Sequence, residues 1–294
     1  MNMLQFKGLL AFLSLLFVPL SMVAQGFPLP SVPKELKGVE ARANYLAMHY
    51  WDRYDFADNA LMGNKEITEQ GFSNFISIMP YVTEKDAAFE QLAGNMARNP
   101  RMVDYFAALG MKYLYEPASP VYDDGLYILL LEKILKQQTL SERQRQEFLF
   151  DLKMAKKNRV GSVAADFSFI TRAGGRNTLL DTKGEYILLF LGDPECDYCS
   201  LAKEELLSMP CFNRFVGEGR LKVLSVCVEG VSDAWKVSKA PEGWIDACDD
   251  GMEIHSGMLY EIPGLPVLYL LGKGHRVLLK NTSPAAVENF FMNK

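Results

Sequence analysis

Histidine is scarce in this chain, three among 294 residues, and positive charge does not dominate: 31 Lys and Arg stand against 36 Asp and Glu, a formal charge of −5. With a single Cys-x-x-Cys and so few histidines, a zinc centre, which needs about four ligands, is not expected. The acidic balance removes the electrostatic footprint of nucleic-acid binding. Beyond the N-terminus, no apolar stretch approaches the length of a membrane span. No repeat of fixed period recurs, which argues against a helical solenoid. Five cysteines are an odd number, so at least one thiol stays unpaired within the chain. One working pair with three bystanders fits better than a dense disulfide scaffold.

What is present begins with a targeting segment. Residues 1–25 carry one charge, Lys7, and a short apolar core, Leu9–Leu20, interrupted by Ser14 and Pro19. Ala24-Gln25 offers a cleavage point, the pattern of a signal peptide. The expectation is an exported protein of the periplasm or cell envelope that does not span the membrane once the signal is removed. Disulfides persist in that compartment.

Residues 26–160 read as a helical domain of about six helices. Helix starts are signalled by Thr83 before Asp86, by Asn99 before Pro100, and by Ser141 three residues ahead of Gln144. The aromatics of His49–Phe56 could line a groove, but packing of a small helical core is the favoured reading. The basic run Lys153–Arg159, closed by Gly161, reads as a helix end and a boundary. Residues 161–294 then form a second domain.

From Ala164 the pattern changes to strands. A hairpin turning at Ala173–Arg176 leads to Tyr186–Leu191, an apolar run too short for a helix and bounded by Gly184 and Gly192-Asp193-Pro194. It reads as a strand buried on both faces. Cys196-Asp-Tyr-Cys199 and a helix-forming run follow directly. Two cysteines therefore sit where a central strand becomes a helix N-terminus, whose unpaired N–H groups and dipole lower a thiol's pKa. Leu221–Gly230 is another buried strand, Ser232–Ser238 a short helix, and Trp244–Ala247 a candidate edge strand. A strand ending at Leu271, another at Arg276–Lys280, and a closing helix after Ser283 complete a βαβαββα order, with parallel crossovers expected on both sides of the active strand.

Residues 164–294 resemble the thioredoxin-like family, specifically envelope thiol–disulfide reductases of the TlpA/ResA type. The resemblance rests on the hairpin, on Cys196-Asp-Tyr-Cys199, and on Tyr260-x-Ile262-x-x-Leu265-Pro266 ahead of a strand. It implies an α/β thioredoxin-like fold, here preceded by an all-α domain. It also implies a cis Pro266 beside the active pair, with Leu265 turned to pair with an extended substrate. Neither a metal nor a cofactor is implied. The implied partners are exported proteins with disulfides and a membrane-borne electron donor. Residues 26–160 resemble a helical domain of unknown function that precedes thioredoxin-like domains in some envelope proteins. Departures from the pattern are Glu195 where tryptophan is frequent, Tyr198 where proline is common, and Phe190 where thioredoxin keeps a buried aspartate. Asp197 matches an acidic residue of some members. Glu195 and Asp197 flank Cys196 and are expected to repel its thiolate, tuning the pair toward a lower potential.

The expected function is an exported thiol–disulfide oxidoreductase, a reductase or isomerase of envelope disulfides. Cys196 would attack and Cys199 resolve. The alternative is a partner-binding adaptor whose thioredoxin-like domain is an inert scaffold. A thiol peroxidase would need a Thr/Ser and Arg environment that the sequence does not display. Cys211 lies about 18 Å from Cys199 by helical rise and reads as a bystander. Cys227 reads as a small core residue, and its pairing with Cys248 is the less favoured reading.

Overall fold

The computed structural model describes residues 27–116 and 119–294; the signal segment of residues 1–25 lies outside the described residues. The chain divides into two compact units, one ending at Thr83 and one running from Glu84 to Lys294. The helices between Lys85 and Ala155 thus group with the sheet that follows them.

In the first unit, α1 (Val39–His49) and α2 (Gln70–Ile78) frame an aromatic core. Tyr50, Trp51, Tyr54 and Phe56 are buried with Phe72 and Phe75, so the His49–Phe56 aromatics are packing residues. Phe27 stacks on Tyr50 at 4.7 Å, and Gly71 gives it room: a Cβ there would fall 2.3 Å from the Phe27 ring. Thr83 does not cap the next helix. Its hydroxyl donates to Glu40 at 3.2 Å and accepts from Asn44 at 2.8 Å, partners 43 and 39 residues away that outcompete a local cap.

The second unit opens with α3 (Lys85–Met96), α4 (Pro100–Gly110), a π-helical turn at Met111–Tyr115, α5 (Asp124–Leu135) and α6 (Glu142–Ala155). Asn99 caps α4 by accepting from Arg101 N–H at 3.2 Å, with Pro100 at the first helical position. Ser141 and Gln144 form a capping box on α6. Phe89, Leu92, Met102, Phe106, Leu130 and Leu131 are fully or almost fully buried, side chains whose burial contributes roughly 1.5–3 kcal/mol each.

The run after α6 is tied down. Asn158, itself buried, donates through Nδ2 to Leu259 O at 2.9 Å and accepts from Ala165 N–H at 2.8 Å. The buried Lys280 ammonium donates to Ala155 O at 3.0 Å and Lys157 O at 2.9 Å. Residues 159–161 are the exposed part of this joint.

Among the described residues seven strands form one sheet: β1 (Ser168–Thr171), β2 (Arg176–Thr178), β3 (Tyr186–Gly192), β4 (Leu221–Cys227), β5 (Ile245–Cys248), β6 (Val267–Leu271) and β7 (Val277–Thr282), in the order β2-β1-β5-β4-β3-β6-β7. Two expectations are corrected here. The active strand β3 is parallel to β4 but antiparallel to β6, so a parallel neighbour stands on one side only. β5 is interior, lying between β4 and β1, because the hairpin strand β1 pairs with it antiparallel at Ile170↔Cys248. The edges are β2 and β7.

Side chains alternate between the two faces. Leu189, Leu191, Leu224, Val226 and Ala247 share one core with Phe167, Ile254 and Tyr260. Leu188, Phe190, Leu221 and Val223 face the other, packed under α7 (Asp197–Ser208), α8 (Pro210–Gly217) and α11 (Pro284–Met292). The short helices α9 (Asp233–Val237) and α10 (Glu253–Ser256) flank β5 in the chain.

Candidate active site

β3 delivers the chain to the site. Its last residue, Gly192, is buried, and a Cβ there would stand 2.8 Å from Phe190 Cε1 and 3.2 Å from Cys199 Sγ. The absent side chain is the seat in which the Cys199 sulfur rests. Asp193 then folds the loop, its Oδ1 accepting from Glu195 N–H at 2.7 Å across two residues, an Asx-turn. Its carbonyl accepts from Cys196 N–H at 3.3 Å.

Cys196 is the N-cap of α7. Its backbone is extended, and its Sγ accepts from Cys199 N–H at 3.2 Å, the position where a serine or aspartate oxygen usually sits. The same thiol reaches the Leu265 carbonyl oxygen at 3.6 Å. The Leu265–Pro266 peptide bond is cis. Cys196, Leu265 and Pro266 are therefore brought together across 69 residues of chain, and all three are partly exposed.

Cys199 is fully buried, and burial followed by its hydrogen bond with Cys196 pushes its thiol up to about 12. Both thiols are free, which is the dithiol state. Glu195 and Asp197 are exposed on either side of Cys196. The polar neighbours of the Cys196 sulfur include the Cys199 N–H and the Leu265 carbonyl. Phe190 lies with Cys199 in the apolar cluster beneath α7, with Lys203 Nζ 5.4 Å above its ring.

Four contributors escape a reading of the motif alone. Gly192 and Asp193 are signalled only as a strand-ending turn. Glu261, in the loop that carries the cis proline, accepts a short hydrogen bond from the Tyr115 hydroxyl of the helical segment. Burial, and then the Glu261 carboxylate, hold that phenol protonated far above its ordinary range. The other three cysteines lie elsewhere. Cys211 is in α8, its N–H donating to Glu288 at 2.9 Å, while Cys227 and Cys248 end neighbouring strands. Each histidine finds a partner: Asp52, Glu229 and the Thr182 carbonyl. Among the described residues no group of three or more His, Cys, Asp and Glu is placed to hold a metal ion, and no helix is long and apolar enough to cross a membrane.

Among solved structures, a thioredoxin-like protein from Bacteroides caccae is 31% identical to the chain. The match covers 91% of this chain and 98% of that one, with a TM-score of 0.78. The chain belongs to the thioredoxin-like proteins. A family profile described as a domain of unknown function (DUF5106) matches residues 15–158 of this thioredoxin-like protein. The C-terminal domain of an uncharacterized protein from Bacteroides fragilis is 34% identical over 46% of this chain and 98% of its own, with a TM-score of 0.45. A domain of a possible thiol-disulfide isomerase from Cytophaga hutchinsonii is 22% identical, covering 47% of this chain and 94% of its own, with a TM-score of 0.42. No curated protein matches the chain.

Proposed function

We propose that this thioredoxin-like protein is an exported thiol–disulfide oxidoreductase of the TlpA/ResA type. It would reduce or isomerise disulfides of other exported proteins and be recharged by a membrane-borne electron donor. The observation that carries this reading is the double placement of Cys196 Sγ, on the Cys199 N–H in the first turn of α7 and 3.6 Å from Leu265 O. N–H donors directed at a sulfur stabilise its thiolate, which is the reactive form.

The reaction follows from the unequal burial of the two sulfurs. The Cys196 thiolate attacks one sulfur of a substrate disulfide, forming a mixed disulfide and releasing the other sulfur as a thiolate. An extended substrate segment lies along Leu265, held by its backbone. The Cys199 thiol gives up its proton and attacks Cys196 Sγ, releasing the second substrate thiol and leaving a Cys196–Cys199 disulfide. Two electrons have moved from the protein to the substrate. Tyr198 and Leu201 stand on the first turns of α7 with 74% and 59% of their surface exposed, an apolar patch next to the attacking sulfur for a protein partner. Insulin reduced by the whole mature chain in the presence of dithiothreitol tests the reading. Acceleration over dithiothreitol alone is expected, and a rate equal to dithiothreitol alone would leave the inert-scaffold alternative.

A further inference from the structure

A second pair of cysteines stands apart from the site just described. β4 and β5 are parallel, and their register places Cys227 directly opposite Cys248. Neighbouring strands lie about 4.8 Å apart, inside the Cα separation of about 4.4–6.8 Å that a disulfide requires. Strand alternation turns both side chains to the face that carries Phe190 and Val223. There they form a small cluster of their own with Trp235.

The pair is reachable from one side. Cys248 is wholly buried, but Cys227 retains 5% exposure and lines a small cleft, open to solvent, with Asp193, Lys203, Trp235, Lys239 and Asp246. Its sulfur also lies 3.6 Å from Asp193 Oδ2, the carboxylate whose other oxygen holds the loop before Cys196. Burial keeps both thiols protonated, Cys227 up to about 11 and Cys248 up to about 12.

We propose that Cys227 and Cys248 are a second redox pair, closed to a disulfide by a small-molecule disulfide that meets Cys227 at the mouth of the cleft, beside Lys203 and Lys239. Cys227 loses its proton and attacks one sulfur of the reagent, forming a mixed disulfide and releasing one small thiolate. Cys248 then attacks the Cys227 sulfur and releases the second. Two protein thiols are oxidised, one small disulfide is reduced to two thiolates, and the two protons given up by the cysteines go to those thiolates, which leave as thiols. Closure removes the Cys227 hydrogen, whose acceptors are Gly230 O at 3.5 Å and Asp193 Oδ2 at 3.6 Å, so the state of this pair reaches the loop that carries Cys196.

The test removes the proposed active pair, so its failure is separable from failure of that function. In the Cys196→Ser/Cys199→Ser/Cys211→Ser chain, two thiols remain. Incubation of the folded protein with oxidised glutathione, then maleimide labelling and mass measurement, should show two labels falling to none, with a loss of two hydrogens and no retained glutathione. Closure should be faster at pH 9 than at pH 7, because the attacking thiol is protonated at neutrality. The same oxidation of the unaltered chain, followed by peptide mapping, should give a Cys227–Cys248 cross-link even if the triple variant does not fold. Two labels persisting at every glutathione ratio, a stable glutathione adduct on Cys227, or no cross-link in the unaltered chain would overturn the proposal.

Discussion

Two cysteine pairs occupy one face of one sheet, and they are covered differently. Cys196 and Cys199 straddle a helix N-terminus, one sulfur partly exposed and hydrogen-bonded by the Cys199 N–H, the other sealed above Gly192. Cys227 and Cys248 sit on neighbouring strands, and each thiol has burial as its largest influence. Spacing in the sequence is a poor guide to this contrast. The members of one pair are three positions apart in the chain and those of the other 21, yet the structure brings both into reach. The two pairs differ in whether a helix terminus faces a sulfur.

The largest effect should come from removing the exposed thiol. Cys196→Ser should bring insulin-disulfide reduction down to the uncatalysed rate, whereas Cys227→Ser/Cys248→Ser should keep most of the activity. Equal losses in the two variants would erase the contrast. A second effect is pH dependence. The Cys199 thiol must ionise to resolve the mixed disulfide, and its pKa of about 12 leaves little thiolate at neutral pH. Single-turnover resolution should accelerate about tenfold per pH unit between pH 7 and 9, and a flat profile would show that Cys199 is ionised differently.

The same raised values make a stability statement. Cys199, Cys227 and Cys248 hold their protons in the folded chain above the pH at which unfolded thiols lose them. Their contribution to stability is intact below about pH 8.5, the unfolded thiol pKa. It falls as pH rises from there toward 12, because the unfolded state then binds fewer protons. Urea midpoints of the reduced protein should drop over that range, and replacing the three thiols by serine should flatten the drop.

Gly192→Ala should act mainly on the first pair, although Gly192 also stands opposite Cys227 in the sheet. The added methyl meets Phe190 and Cys199 Sγ at contact distances that force one of them to move, an overpacking cost of about 1–3 kcal/mol. Denaturant midpoints and the resolution rate should fall together, and a normal resolution rate would show that Cys199 does not need this seat. Smallest should be Pro266→Ala, which keeps both thiols. It should raise the KM for a protein disulfide while leaving alkylation of Cys196 by a small reagent close to unchanged.

Much of the site is legible in the sequence because its parts are local. A six-residue apolar run, a Gly-Asp-Pro turn and a Cys-x-x-Cys before a helix former are decided within about 20 residues, and Leu265-Pro266 carries its own backbone signature. The remainder depends on strand order. Trp244–Ala247 reads as an edge strand since it is short and flanked by turn residues, but β1, from more than 70 residues earlier, covers its open side. The Cys227–Cys248 register follows from β4 meeting β5, which no local pattern announces. Thr83 shows the same limit in a helix start: a plausible cap residue is taken by Glu40 and Asn44 from across the unit. The Tyr115–Glu261 bond joins residues 146 apart and has no periodicity to reveal it.

The claim that Cys196 attacks and Cys199 resolves is tested most directly by trapping. Cys199→Ser retains the attacking sulfur at the head of α7 and lacks the group that releases the partner. Expressed with its signal and recovered from an envelope extract under acid quench, it should run on a non-reducing gel as higher-mass species that collapse to the monomer with dithiothreitol, and the added Cys196→Ser change should abolish them. A Cys199→Ser chain that stays monomeric without reductant, under conditions where the unaltered protein reduces insulin, would contradict the account.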